Sequence, residues 1–189
     1  LNLSNTTIDP VKLGQILTSL KNQKKENVII ETYSHGLKQN RLDGLKFNSG
    51  IFTNLSQDHL DYHKNLKSYL KAKLYLFETL IKKKGFVITD QKIPEFKEIK
   101  KITQNKKLKL YTLNDKKNNL EIISHSFIGE SQLLKIKYNN SIRNIRVNLI
   151  GKIQLKNVLM AIIAAKISRV SLNKILNVIK KLKPVDGRF

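Results

Sequence analysis

The chain has 189 residues, 40% of them hydrophobic, and 36 lysines and arginines against 14 acids give a formal net charge of +22. This length suits one domain with a sizeable buried core. No apolar run reaches the roughly 18 residues of a membrane-spanning helix, and a chain without cysteine has neither disulfides nor thiolate metal sites, leaving oxygen and imidazole as ligands.

The opening Leu1-Asn2-Leu3-Ser4-Asn5-Thr6-Thr7 is polar and lacks a basic segment, so no signal peptide is expected, and the lack of cysteine makes a cytoplasmic protein the expected reading. It also lacks an initiator Met, which fits a piece of a longer chain. Asp9-Pro10 supplies an N-cap and a first-turn proline for a helix over about residues 10 to 22. Asn27-Val28-Ile29-Ile30-Glu31 reads as a buried parallel strand ending in an acid. Gly50-Ile51-Phe52-Thr53 reads as a second strand, running into the polar loop Asn54 to His63.

A helix follows. Leu66, Leu70, Lys73, Phe77 and Leu80 recur at steps of four and three, with Tyr69, Leu74 and Ile81 beside them, so Lys73 interrupts an apolar stripe. Held in low dielectric, its amine loses its proton more readily. Alternatively the side chain snorkels and keeps its ammonium in water. Phe86-Val87-Ile88-Thr89-Asp90 is the next strand, joined by a lysine-rich helix to Leu108-Lys109-Leu110-Tyr111. The alternation specifies an α/β fold with a mostly parallel sheet flanked by helices.

Beyond about residue 118 the pattern changes. Residues 120–124, 133–138 and 145–149 read as an antiparallel β meander with turns such as Asn139-Asn140. Helices over about 155–168 and 172–182 close the chain, the second behind Ser171 as N-cap, before Pro184 and Gly187 break it. No internal repeat and no low-complexity linker occur.

Ligands of open α/β sheets gather beyond the carboxyl ends of the strands, where Glu31 and the Asp58-His59 loop both fall. One carboxylate and one imidazole there could share magnesium, which takes few protein ligands beside water and phosphate. His59 and His63 are four apart, as in a helical zinc site, but no Glu follows His59 as in H-E-x-x-H. His35 and His63 read as structural. No G-x-x-x-x-G-K-[ST] phosphate loop occurs. Only five basic residues are arginine, Arg41, Arg143, Arg146, Arg169 and Arg188; the lysines are scattered, without interleaved aromatics. No nucleic-acid partner is expected, because base readout leans on arginine and stacking, although a basic nucleic-acid-binding module is the competing class.

Four segments together resemble the Mur ligases, ATP-dependent amide ligases of peptidoglycan precursor synthesis. They are Asn5-Thr6-Thr7; Glu31 to Leu37 with Gln39 and Arg41; Thr53 to His63 with Ala72-Lys73 and Leu76-Phe77; and Gly151 to Asn157 with Gly187-Arg188-Phe189. Within the family the chain looks most like the type that adds the third residue, diaminopimelate or lysine, to UDP-N-acetylmuramoyl-L-Ala-D-Glu. A sibling stem-peptide ligase or a folylpolyglutamate synthetase-like enzyme is the alternative.

The resemblance implies that residues 1–189 are a central, ATP-binding domain, without the upstream phosphate loop, the N-terminal UDP-binding domain and the C-terminal ligase domain. Alone it would be inactive and monomeric. It implies two magnesium ions, held by Glu31, His59 and Lys73 as its carbamate. It further implies substrate contacts by Thr6, Thr7, Gln39 and Arg41, and nucleotide contacts by Asn157 and Arg188. Duller roles compete: Glu31 as a helix cap, Arg41 in an ion pair with Asp43, Asn157 bonded to backbone at a helix start. Tyr33 stands where the family usually has serine, and Ile153-Gln154 replaces the usual Phe-Asn.

Overall fold

The computed structural model describes residues 8–56, 60–113, 120–129, 131–138, 141–149 and 151–183. The chain divides into two compact units, one of Leu1–Asn48 with Leu55–Lys82, the other of Ser49–Asn54 with Lys83–Phe189.

The first unit is helical. Helix α1, Pro10–Asn22, starts as the Asp9-Pro10 pair requires: Asp9 Oδ1 accepts from the backbone N–H of Val11 (2.9 Å) and Lys12 (3.3 Å), satisfying two first-turn donors. Residues 25–33 are irregular, and the strand expected over 27–31 does not form. A buried strand needs neighbours for its N–H and C=O groups on both edges. Among the described residues the parallel sheet ends at other strands, and Val28 and Ile29 are 45% and 99% exposed. Short helices α2, Ser34–Lys38, and α3, Leu60–His63, pack on α4, Leu66–Tyr75, whose N-cap Asn65 Oδ1 accepts from Ser68 N–H at 2.8 Å. The helix beginning at Leu66 does not reach Ile81 in regular form: it widens into a π-helical turn over Leu76–Leu80. Tyr69, Ala72, Leu74, Leu76, Phe77 and Leu80 are buried here, and Lys46 donates from Nζ to the Thr79 carbonyl at 2.9 Å.

The second unit is built on two three-stranded sheets, the first parallel and the second antiparallel. The first has the order β1-β2-β3. Strands β1, Phe47–Ile51, and β2, Ile81–Thr89, each begin in the first unit and end in the second. Strand β3 is Lys109–Thr112, with Phe86 opposite Lys109 and Thr89 opposite Thr112. Beyond β1, Phe52 N–H donates to the Ile88 carbonyl and the Thr89 hydroxyl to the Phe52 carbonyl. Helix α5, Phe96–Asn105, links β2 to β3 and buries Ile99, Ile102 and Thr103 while its lysines stay exposed, a period-3.6 stripe.

The meander consists of β4, Leu120–Ile128, β5, Ser131–Tyr138, and β6, Ser141–Val147. A bulge between Ile122 and Ser124 breaks the alternation, since one extra residue flips the following side chains. Asn139-Asn140 lies outside the described residues. Helix α6, Lys152–Ile167, starts three residues earlier than its periodicity indicates, so Asn157 falls in the second turn rather than at the start. Helix α7, Leu172–Ile179, is shorter than expected, and Ser171 holds the N-cap backbone position without a side-chain capping bond. One core joins Ile88, Leu134, Ile136, Ile145 and Val147 of the strands to Leu155, Leu159, Met160, Ile162 and Ile175 of the helices.

Candidate active site

In the first unit, side chains of three helices interlock around His63. The imidazole is 1% exposed and its Nε2 lies 2.8 Å from the hydroxyl oxygen of buried Ser34. Its ring stacks on Tyr69 (centroids 5.0 Å apart, 18° between planes) and meets Tyr62 edge-on at 4.9 Å. Tyr62 in turn lies 3.9 Å from the His35 ring. A buried ring, bonded through Nε2 to Ser34 and packed against Tyr62 and Tyr69, thus ties α2, α3 and α4 together.

Lys73 lies one turn beyond Tyr69 on α4, and its ammonium sits 5.0 Å from the Tyr69 ring centroid. It is half-buried, between the two alternatives that its spacing allows. Partial desolvation works against its charge, while the π-face beneath it favours the cation. A chain of contacts thus runs Ser34–His63–Tyr69–Lys73.

Gln39, just past α2, donates from Nε2 to the Tyr62 hydroxyl at 3.1 Å, and Lys38 lies over the same ring at 4.7 Å. Arg41 is half-buried and its backbone N–H donates to the Gly36 carbonyl at 2.9 Å. The Asp43 carboxylate takes the Tyr75 hydroxyl, at 2.9 and 3.0 Å to its two oxygens. That bond raises the Tyr75 phenol above its ordinary value, with burial and the carboxylate's charge adding and Thr79 opposing. Glu31, expected at a strand's carboxyl end, is instead exposed in the irregular stretch before α2. His59, Thr6, Thr7 and Arg188 lie outside the described residues. Among the described residues no three His, Asp or Glu side chains gather as a metal site.

In the second unit, Asn157 is half-buried on α6. Next to it Lys156 reaches Asp90, at the end of β2, with Nζ 2.7 Å from Oδ2; the Asp90 side chain is 0% exposed and that of Lys156 46%. Sequence reading marked Asp90 only as a strand terminus and passed over Lys156. An acid straight after an apolar run was the signal available, but its partner 66 positions on was not. Gln132, 0% exposed, was likewise missed among exposed-looking polar strand residues. It donates from Nε2 to the carbonyls of Leu149 (2.6 Å) and Gly151 (3.2 Å), and its Oε1 lies 2.8 Å from His125 Nε2.

Comparison with known proteins fits this arrangement. Residues 2–165 match the Mur ligase middle domain. The chain is 34% identical over 186 residues to the UDP-N-acetylmuramoyl-L-alanyl-D-glutamate–2,6-diaminopimelate ligase of Rickettsia typhi, covering 98% of this chain and 38% of that protein. With the protein of the same name from Bacteroides thetaiotaomicron the identity is 36% over 190 residues, covering 98% and 37%. A solved structure of a ligase of that name superposes with a TM-score of 0.83 at 26% identity, covering 98% of this chain and 39% of the other. The chain thus spans under two fifths of the length of these relatives. Its parallel sheet, its added meander and the order of its motifs all belong to one family, and the chain is a member of the Mur ligase middle-domain family.

Proposed function

We propose that these 189 residues form the central, ATP-binding part of a ligase that joins diaminopimelate to UDP-N-acetylmuramoyl-L-Ala-D-Glu. The observation that carries this reading is similarity across 98% of the chain to proteins named for that reaction. A lysine-adding enzyme of the same type is the nearest variant. In the reaction the D-Glu side-chain carboxylate attacks the γ-phosphate of ATP, giving ADP and an acyl phosphate. The incoming amine then displaces phosphate.

The carboxylate and the triphosphate repel each other, and magnesium supplies the positive charge that brings them together. The donor set suits that ion: the Glu31 carboxylate, the His59 imidazole, and Lys73, whose carbamate would offer two more oxygens. Lys73 is half-buried on α4; its ammonium over the Tyr69 ring is the form before carbamylation, and the anionic carbamate would turn away from that π-face. Gln39 and Arg41 bind the UDP-linked substrate, with Thr6 and Thr7; Arg41 offers a fork suited to a carboxylate or phosphate. Asn157 and Arg188 contact the nucleotide.

The test is ADP release coupled to tripeptide formation by the complete gene product. Lys73→Ala is expected to abolish it, with partial rescue by added acetate or bicarbonate. Near-normal turnover in that variant, with no response to either anion, would refute the role of Lys73.

A further inference from the structure

We infer that the Asp90–Lys156 ion pair is a positioning device for the nucleotide-contacting turn of α6, an inference that rests on the nucleotide role proposed for Asn157. Asp90 closes β2, at the end of the parallel sheet where ligands of α/β folds collect. Its carboxylate is fully enclosed, with Oδ1 accepting from Lys92 N–H at 2.9 Å and Oδ2 2.7 Å from Lys156 Nζ. With its side chain 0% exposed, it bears on a ligand through the groups it holds, Lys156 among them.

Lys156 is the immediate neighbour of Asn157. Fixing the Lys156 ammonium to the strand end fixes the second turn of α6, and with it the direction in which Asn157 projects. A carboxylate buried in protein is costly unless paired, so the enclosed Asp90 favours keeping the Lys156 ammonium close, although the lysine side chain itself is 46% exposed. The entry to α6 is tied independently. The Gln132 amide holds the Leu149 and Gly151 carbonyls, and Gly151, with φ at +91°, begins the helix. The two attachments, at Leu149 and Gly151 before the helix and at Lys156 within it, bear on the position and the rotation of the first two turns. The strand-end attachment is the one adjacent to Asn157.

The experiment measures Mg·ADP affinity of the complete gene product by calorimetry, alongside affinity for the UDP-linked substrate. Variants are Lys156→Arg, Lys156→Met, the double variant Asp90→Asn with Lys156→Met, and Asn157→Ala. The double variant buries no unpaired charge and so keeps a folded protein for comparison. Lys156→Arg is expected to bind nucleotide as the parent does. Lys156→Met and the double variant are expected to weaken it about tenfold, as misplacing a contact by a fraction of an ångström does, leaving the other substrate unaffected. Parent-like Mg·ADP binding by the double variant overturns the inference. Wild-type protein that binds no Mg·ADP, or Asn157→Ala that binds it undiminished, instead removes the nucleotide reading on which the inference stands.

Discussion

Tyr75 offers the most direct check on the residue-level chemistry. Its hydroxyl donates to both oxygens of Asp43, and making the phenolate would place two anions in contact. The folded state therefore keeps the proton to higher pH than the unfolded chain. By linkage, from about pH 10 upward the native state holds more protons than the unfolded chain, so this group's contribution is intact below the unfolded value and is lost as pH passes through the raised one. A spectroscopic titration near 295 nm should find one tyrosine ionising later than free tyrosine, and Asp43→Asn should bring it back. Asp43 had been weighed as a partner for Arg41 from sequence. Proximity along the chain suggested that pairing, whereas Tyr75 lies 32 positions on. The structural part played by His63 was legible; its bond to Ser34, 29 positions back, was not, because helix periodicity carries no information about which polar group waits across the packing.

Elements whose information is local were read correctly. Asp9-Pro10 fixes the start of α1 by capping and a preset φ, and α1 ends where expected at Asn22. Strand-like runs separated by polar turns likewise gave the meander, although its last strand lies at Ser141–Val147 and not at 145–149. Residues 27–31 failed for the opposite reason, since strand formation is settled by neighbours that composition does not supply. The start of α6 was misplaced because an apolar-period argument ignores the backbone at Gly151, whose φ of +91° and ψ of 148° lie in territory reserved for glycine. A β-carbon there would meet nothing within 4 Å, so Gly151→Ala isolates backbone strain from crowding. We expect it to destabilise the protein by about 1–3 kcal/mol in urea unfolding. An unchanged midpoint would show that the backbone relaxes freely at this turn.

At the scale of the whole molecule the dominant quantity is charge. With +22 formal charges on 189 residues, self-repulsion opposes compactness unless counterions screen it. Raising sodium chloride from roughly 20 to 200 mM, which shortens the screening length to below about 10 Å, should raise Tm. A flat or falling Tm over that range would mean that local ion pairs outweigh the net repulsion. No described helix is long and apolar enough to cross a membrane. Family membership came from the Thr53 to Lys73 run and its companions, but four of the nine proposed contact residues, Thr6, Thr7, His59 and Arg188, lie beyond the described ones. Composition could not locate those contacts either, because a lysine-rich surface looks alike whether or not it faces an anionic substrate.

The π-helical turn at Leu76–Leu80 sets the reading frame of everything between Lys73 and β2. Its loop closes over five residues where an α-turn takes four, the geometry that a single added residue leaves in a helix. The wide turn absorbs that residue locally, which lets Phe77 and Leu80 stay in the interior at 2% and 1% exposure although the α-helical period is interrupted. Delete one residue from that stretch and the helix can close in regular α form with the side chains on either side still on the faces they hold now. Chains lacking the wide turn should therefore be shorter here by one residue, with no compensating insertion before β2.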